Sequence, residues 1–428
     1  DAASQSAFRR NWGPKCVAPK TEKNPNCSAL SGSPSPVSGA YPADLQKDPK
    51  FCEALEKRPD AKKLLDPFVV VREKDGKLAA VPYSEAFRET MSAMAKELEA
   101  TAADIKDPKE GALKAYVLAA AKAFENNDWK PADEAWSKMN ALNSKWYLRV
   151  APDEVYWDPC SHKAGFHMAF ARINRESLQW QEKLSPVQQE MEKLLAAHVG
   201  APYKERKVTF HLPDFIDIVI NAGDDRDSMG ATIGQSLPNW GPVANEGRGR
   251  TVAMSNLYTD TDSMKSRRMQ AESLIAKDSM GPYTDSHSPG LLATILHEAT
   301  HNLGPAHEYK VKGKTDSQLF GGGLASTMEE LKAQSGALWY VDFITKKSII
   351  DGKMAAQSYL DSVIWAMNHI SRGMYSESGQ RKPYSQLAAI QIGFLMDEGA
   401  IRFDQEAMAA NGTDKGAFVI VYDKMPAA

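Results

Sequence analysis

The segment "SPGLLATILHEATHNLG", residues 288–304, constrains the fold more than any other part of the chain. Ser288 suits a helix N-cap, Pro289 suits the first turn, and Gly304 suits a helix end. Its apolar residues recur three and four positions apart, so that one side of a helix can face a core. This apolar stripe comprises Leu292, Ile295, Leu296, Ala299 and Leu303. The segment therefore predicts one amphipathic helix packed against a core.

The same helix carries a metal-binding pattern, because residues 297–301 read HEATH and fit HExxH. His297 and His301 are four positions apart and share a helix face roughly opposite the apolar stripe. Two imidazole nitrogens on one face suit zinc, and Glu298 beside them is placed to take a proton from a metal-bound water. The pattern predicts a hydrolase that binds one Zn²⁺ ion.

Two candidates exist for the third metal ligand. His307 completes HExxHxxGxxH, the metzincin pattern, in which Gly304 would let the chain turn back toward the metal. The rival is Glu330, within a second amphipathic segment "STMEELKAQSGALWYVDFI". There Ser326 and Glu329 fit a capping box, which leaves Glu330 free to complete a His-His-Glu site. From the residues alone, both candidates stay open.

Composition excludes two classes of partner. Among 428 residues, 43% are hydrophobic and 25% are charged, which is ordinary for a globular protein. The formal net charge of −3, without a long basic run, argues against a nucleic-acid partner. No apolar run approaches the ~20 residues that span a bilayer. A peptide is the partner that the zinc motif favours, and the oligomeric state is not readable from the sequence.

The cysteines favour an exported protein. Cys16, Cys27, Cys52 and Cys160 form an even set, and three of them lie in the first 52 residues. The chain starts at Asp1 without methionine, as a mature form does after signal removal. We expect one or two disulfides and a periplasmic or extracellular protein, with surface anchoring through a removed segment as one version. Four buried thiols in a cytosolic enzyme are the alternative, and pairing cannot be deduced.

The pattern along the chain predicts three regions. Residues 1–50, rich in Pro, Ser, Lys and Asn, predict an extended N-terminal arm or linker. Residues 51–200 predict a mainly helical lobe with a β-hairpin, and residues 201–428 predict the zinc-binding catalytic region. The expected fold class is α+β, mainly α-helical, with two lobes.

Local patterns place several elements within these regions. "FVVVREKDGKLAAVPYS" predicts a hairpin around Asp75-Gly76, and one long helix is expected over 174–199. Strands are expected at "KVTFHL", "DIVINAG", "RTVAMSNLY" and "GAFVIVYDK". Helices should dominate from 261 to 411.

Several separated stretches between about 150 and 403 resemble one known family. They are "EVYWDPCSHKAGFHMAFARIN", "SLPNW", "HEATHNLGP", "EELKAQSGALW" and "AAIQIGFLMDEGAIRFD". They are similar to motifs of dipeptidyl peptidase III and of its shorter bacterial and plant relatives, some of them Nudix-associated. The resemblance implies a zinc exopeptidase with a cleft between two lobes, which removes dipeptides from the N-terminus of short peptides.

The resemblance also implies roles for individual residues. Zinc would be held by His297, His301 and Glu330, with Glu298 as general base and Glu329 steadying a histidine ligand. Tyr156 would stabilise the oxyanion of the transition state. Glu154 and Asn239 would bind the free N-terminal amine of the substrate, since a desolvated ammonium must be paired. In this reading His307 is not a ligand.

Three positions depart from the family pattern. Gln334 replaces the last acid of the second zinc motif, Ser236 replaces the first asparagine of N-x-P-N, and Tyr384 stands near the position of a histidine that assists the transition state. These departures put the dipeptide specificity in question. They also support a third interpretation, an exported zinc-binding protein with lost or non-peptide hydrolase activity.

Overall fold

The computed structural model divides the chain into two compact units, each made of two stretches. Unit 1 comprises Asp1–Asn174 and Asp214–Leu257, and unit 2 comprises Arg175–Pro213 and Tyr258–Ala428. The structure describes residue 5 and residues 37–155, 158–210, 212–223, 234–246, 248–257, 261–305, 309–375 and 381–428. Most of the expected arm over 1–50 lies outside these residues. The three-region division made from the sequence stays a prediction.

Unit 1 is built around a five-stranded sheet with the strand order β3-β4-β5-β7-β6. The strands of the unit are β1 (Val69–Lys74), β2 (Lys77–Pro82), β3 (Trp146–Glu154), β4 (Gly165–Ile173), β5 (Asp214–Gly223), β6 (Gly234–Leu237) and β7 (Arg250–Met254). Neighbouring strands of the sheet are antiparallel except β5 and β7, which are parallel. β1 and β2 form a separate antiparallel hairpin.

Side chains from the helices cover the outer edge of β3. The helices of unit 1 are α1 (Phe51–Glu56), α2 (Ala61–Leu64), α3 (Tyr83–Ala86), α4 (Arg88–Asp104), α5 (Gly111–Asn126) and α6 (Lys130–Ser137), with a short helix over Gly241–Asn245. The Tyr116 hydroxyl of α5 accepts from Val150 N–H at 2.9 Å and contacts Val150 O at 3.1 Å. Trp136 Nε1 of α6 donates to Leu148 O at 2.9 Å. These bonds satisfy edge groups that would otherwise be exposed or unpaired.

Unit 2 is mainly helical. Its elements are α7 (Arg175–Leu184), α8 (Gln188–Val199), α9 (Thr261–Leu274), α10 (Ser288–His301), α11 (Asp316–Phe320), α12 (Gly322–Lys346), α13 (Gly352–Ser371), α14 (Pro383–Asp397), β8 (Ile401–Met408) and β9 (Lys415–Ile420). α12 packs against α10, α13 and α14, and β8 pairs with β9 as an antiparallel hairpin. None of the described helices combines the length and the apolarity that a membrane span needs.

The expected α+β, mainly helical class is confirmed, and so are several local elements. The predicted hairpin forms β1 and β2, with Asp75 and Gly76 both at positive φ (51° and 70°), as a tight hairpin turn requires. The strand predicted at "DIVINAG" lies within β5, and those predicted at "RTVAMSNLY" and "GAFVIVYDK" form β7 and β9 over the first five residues of each segment.

Other local predictions were wrong. The single helix expected over 174–199 is two helices, separated by a 3₁₀ turn at Ser185–Val187, because Pro186 lacks the N–H that a helix interior needs. The described residues of "KVTFHL", 207–210 and 212, are not a strand. Helices do dominate from 261 to 411 as expected, with β8 at the end of that range, but β3 and β4 were missed.

A disulfide between Cys52 and Cys160 joins α1 to the segment between β3 and β4. Around it packs a core of Tyr41, Phe51, Leu55, Leu64 and Val71. The two cysteines are 108 positions apart in sequence, so the bond restricts a long loop of the unfolded chain. One of the two disulfides that the cysteine count allowed is therefore present within unit 1.

We expect the double substitution of Cys52→Ser and Cys160→Ser to destabilise unit 1 by roughly 2–5 kcal/mol, since it releases this loop-closing constraint. Thermal unfolding without reductant measures the loss. Adding reductant should lower the midpoint of the wild type toward that of the variant. An unchanged midpoint in the variant would show that the bond does not constrain the unfolded chain.

Candidate metal centre

The close packing of α10 against α12 brings the candidate ligands together. Leu292, Ile295, Leu296, Ala299 and Leu303 all have 0% exposure, as the apolar stripe predicted. On α12, a Cβ added at Gly336 would lie 2.5 Å from Thr300 Cγ2. Such a distance is too short for a real side chain, so a glycine at this position is what lets the two helices approach.

Three charged side chains hold the end of α10. Gly304 has φ +67° and donates its N–H to Glu192 Oε2 at 2.7 Å, and Glu192 itself has 0% exposure. Arg206 NH2 donates to Asn302 O at 2.9 Å, and Lys332 Nζ donates to Leu303 O at 3.0 Å. Cations near the C-terminal carbonyls stabilise a helix, because they interact favourably with the negative end of its dipole. The predicted stop at Gly304 is thus present, and its partners come from α8, the chain after α8, and α12.

Three donor atoms converge on one point between the helices. His297 Nε2 lies 3.1 Å from His301 Nε2 and 3.1 Å from Glu330 Oε2. His301 Nε2 lies 3.7 Å from Glu330 Oε2. Tetrahedral zinc with bonds of about 2.0–2.1 Å separates its ligand atoms by about 3.3 Å. These three residues form a group that could hold a metal ion, found in the part of the chain that the structure describes.

The remaining ring nitrogens show that a cation suits this point. His297 Nδ1 lies 3.2 Å from Gln334 Oε1, and His301 Nδ1 lies 2.9 Å from Glu329 Oε1. Both oxygens can accept a proton-bearing Nδ1, and in that tautomer each neutral ring presents a lone pair at Nε2. Two lone pairs and a carboxylate then face one another at short distance. A bound metal ion, or a proton in its absence, removes the repulsion between them.

Three acids and a lysine influence the charge of His301 and of its partner Glu329. Burial lowers the pKa of His301, but the hydrogen bond to Glu329 and the nearby carboxylates of Glu330 and Glu298 outweigh it and raise the pKa above the usual 6.5. Burial raises the pKa of Glu329, but His301 and Lys332 outweigh it and lower that pKa. Lys332 Nζ lies 2.9 Å from Glu329 Oε1. Glu329 is therefore an ionised acceptor that fixes the ring of His301.

Tyr384 lies beside Glu330, one of the two candidates for the third metal ligand. Burial raises the pKa of Glu330, but the hydrogen bond and charge of His297, the charge of His301 and the hydrogen bond from Tyr384 together lower it. The ring of Tyr384 lies 6.4 Å from that of His297 and 5.6 Å from that of His369. Burial lowers the pKa of His369 to about 4, so this ring is neutral near pH 7. The tyrosine thus supplies a polar contact at the position where the resemblance implied a histidine.

One prediction about α12 was wrong. The capping box of Ser326 and Glu329 required the helix to begin at Ser326, but α12 begins at Gly322. Ser326 therefore lies inside the helix, and Glu329 is not a capping residue. Its carboxylate instead contacts His301 and Lys332.

The other predicted site residues lie in unit 1 or outside the described part of the chain. Asn239 Nδ2 donates to Asp153 O at 2.8 Å, next to Glu154 at the end of β3. Ser236 Oγ lies 2.7 Å from Thr251 Oγ1 on the neighbouring strand. Tyr156 and His307 both fall outside the described residues.

Sequence reasoning missed the residues that support the site. Lys332 stood within the quoted "EELKAQ", and its position three residues after Glu329 was a usable signal for an ion pair along a helix. Glu192 gave no comparable signal, because an acid in an amphipathic helix usually faces solvent. Only the tertiary structure shows that it is buried against Gly304 N–H and the Tyr203 hydroxyl, the latter at 2.6 Å.

Fold and site together define an α+β protein with a His-His-Glu group that could hold a metal ion. Two solved structures share its fold. DPP III from Caldithrix abyssi matches with a TM-score of 0.77 and 22% identity, over 100% of this chain and 76% of that one. Dipeptidyl-peptidase III from Corallococcus sp. strain EGB matches with a TM-score of 0.65 and 24% identity, over 100% and 74%. The resemblance to dipeptidyl peptidase III is thereby confirmed for the fold.

Sequence comparison adds one curated relative. Nudix hydrolase 3 of Arabidopsis thaliana is 24% identical over 384 residues, which cover 89% of this chain. The chain spans only 45% of the length of that relative. No protein-family profile matches the sequence.

We expect zinc affinity to fall about tenfold per pH unit below the raised pKa of His301, because a proton competes for Nε2. Glu329→Gln removes the charged hydrogen-bond partner that raises this pKa, so in the variant the loss of zinc affinity should begin at lower pH. The loss of the hydrogen-bonded carboxylate should weaken zinc binding about 10- to 100-fold near neutral pH. Competition with a chromophoric chelator across this range measures both effects. Glu406→Gln, at an exposed acid of β8, is the matched control, and identical profiles for the two variants would refute the role of Glu329.

Proposed function

We propose that the protein is a zinc-dependent metallopeptidase that removes dipeptides from the N-terminus of short peptides. The observation that carries this proposal is the convergence of His297 Nε2, His301 Nε2 and Glu330 Oε2, with Glu298 on the same helix as both histidines. The shared fold with dipeptidyl peptidase III structures supports it.

The residues of the site suit hydrolysis of an amide. Zinc, when bound by His297, His301 and Glu330, lowers the pKa of water and polarises a carbonyl oxygen. Glu298 adjoins His297 in sequence on the same helix, and its negative charge is among those that raise the pKa of His301. It accepts the proton of the attacking water and passes it to the leaving amine. Tyr156 donates to the oxygen that becomes negative in the transition state.

Recognition of one chain end would make the enzyme an exopeptidase. In this proposal the carboxylate of Glu154 and the side-chain amide of Asn239 bind the protonated N-terminal amine, since a desolvated ammonium needs anionic or polar partners. Ser236, already bonded to Thr251, is too short to add the contact of an asparagine at its position.

Gln334 departs from the family pattern but keeps a contact with a candidate ligand, which argues against an inert zinc-binding protein. Gln334 replaces a carboxylate, yet its Oε1 still contacts His297 Nδ1 at 3.2 Å. The amide therefore fixes the ring tautomer that leaves Nε2 available, with no loss of orientation.

We also propose that the protein is exported. The disulfide of Cys52 and Cys160 supports this location, because such bonds persist in oxidising compartments and are rare in reducing ones.

Glu298→Gln should abolish peptide hydrolysis, with a decrease of at least about a thousandfold in kcat, because the amide cannot accept the proton. Zinc content should stay at one ion per chain. The assay is digestion of a panel of tetrapeptides, with dipeptide products identified by mass spectrometry. Full activity in the variant would refute the mechanism, and a zinc-loaded wild type inert on the whole panel would favour the inert interpretation.

Single alanine substitutions decide between the two candidates for the third ligand. We expect Glu330→Ala to lose bound zinc, because two imidazoles alone hold the ion weakly. His307→Ala should retain it. Zinc content after dialysis against a weak chelator is the measurement. Loss of zinc in His307→Ala with retention in Glu330→Ala would instead indicate a metzincin-type endoprotease.

A further inference from the structure

Unit 1 contains a buried group of charged side chains that the proposed mechanism does not use. We call Asp133, Arg149, Asp153 and His167 the Asp153 network. Their exposed fractions are 8%, 1%, 1% and 3%. Removing charges from water is costly even when they are paired, so such a group is poor evidence for stability alone. Its position indicates another role, because Asp153 directly precedes Glu154.

The contacts of the network converge on the carboxylate of Asp153. Arg149 Nε donates to Asp153 Oδ2 at 2.7 Å, and Arg149 NH2 contacts Asp153 Oδ1 as the second half of a bidentate pair. His167 Nε2 lies 2.6 Å from Asp153 Oδ2. Asp133 Oδ1 lies 2.8 Å from Arg149 NH2. The planar guanidinium fixes the carboxylate in orientation as well as in position.

Asp153 is also the extra residue of a β-bulge. In the pairing of β3 with β4, Pro152 is opposite Phe166 and Glu154 is opposite Gly165, which leaves Asp153 without an opposite residue. A bulge changes the direction of the side chains that follow it. By holding the bulged residue, the network determines where the next side chain, Glu154, points.

The main chain of Asp153 holds the second amine-binding residue. Its carbonyl oxygen accepts the 2.8 Å hydrogen bond from Asn239 Nδ2. With Nδ2 committed in this way, the amide of Asn239 has a fixed rotation, and its Oδ1 is the acceptor that an ammonium group requires. One residue therefore orients Glu154 through the chain and Asn239 through a hydrogen bond.

We propose that Asp153, held by Arg149 and His167, is the positioning residue for recognition of the free N-terminal ammonium of a peptide. This inference rests on the proposed function, in which Glu154 and Asn239 bind that group. Asp153 itself does not touch the substrate. Its effect is confined to the arrangement of two acceptors, so it changes amine recognition and leaves the zinc site of unit 2 intact.

The test measures the preference for a free amine over a blocked one. Dissociation constants are determined by calorimetry for tetrapeptides and for their N-acetylated twins. The zinc-loaded Glu298→Gln protein serves as background, so that no turnover interferes. Adding Asp153→Asn should raise the dissociation constant of the free-amine peptide roughly tenfold or more relative to that of its acetylated twin, the change that one charge-assisted hydrogen bond represents. The constant for the acetylated twin and the zinc content should not change.

Asp214→Asn is the matched control. Asp214 Oδ2 pairs with Arg250 NH2 at 2.5 Å in the same sheet, but neither residue contacts the bulge in the described contacts. This variant loses an arginine–aspartate pair of the same kind, and it should keep the free-amine preference. An equal decrease in both variants would overturn the assignment to Asp153.

The outcomes separate this inference from the proposed function. A background protein that does not prefer the free amine would refute amine recognition, and with it both proposals. A clear preference that survives Asp153→Asn would overturn the role of Asp153 alone.

Should Asp153→Asn fail to fold, His167→Gln and His167→Leu keep the inference testable. Glutamine retains an N–H donor near the place of His167 Nε2, whereas leucine removes it. We expect the free-amine preference to survive in the glutamine variant and to fall in the leucine variant. A purely stabilising role would lower the melting temperature of the leucine variant and leave its preference unchanged.

Discussion

The close approach of Gly336 to Thr300 is the constraint on which the candidate metal centre depends. A Cβ at residue 336 would have to lie 2.5 Å from Thr300 Cγ2, so any larger residue separates α10 from α12. The candidate ligands come from both helices and face one another at 3.1–3.7 Å. A shift of one ångström between the helices would therefore remove the geometry that a tetrahedral ion needs. Glycine at position 336 thus decides whether the two histidines and Glu330 lie close enough to bind one metal ion.

The polar groups around the site form a connected system. Lys332 contacts both the carboxylate of Glu329 and the carbonyl oxygen of Leu303, so it joins the support of His301 to the end of the helix that carries His301. Glu192 of α8 holds the same helix end, because its carboxylate accepts a hydrogen bond from Gly304 N–H. The acid that contacts His301 is itself held by Lys332, and Lys332 is held by the helix end. The orientation of the ring therefore does not depend on a metal ion. This preorganisation favours binding without a large cost of ordering.

Much of this arrangement could be predicted from the sequence, because it depends on local spacing. The helix of HEATH, its apolar stripe, its stop at Gly304 and the hairpin at Asp75-Gly76 all follow from periodicity and turn chemistry. β3 could not be recognised in this way. Its buried pattern includes Arg149 and Asp153, whose charges conceal a strand until their tertiary partners are known. Glu192 and Gly336 were hidden for the same reason, since burial by distant elements decides their roles.

The division of the chain into interleaved units has a consequence for biosynthesis. About forty residues, the segment that begins unit 2, separate the end of β4 at Ile173 from the start of its neighbour β5 at Asp214. At ~5–20 residues per second, β4 waits roughly 2–8 s after its synthesis for β5 to leave the ribosome. Hairpins form in about 1–10 μs, so β3 and β4 can pair long before that. The nascent protein therefore displays an open strand edge for seconds, which is a template for aggregation and a substrate for chaperones.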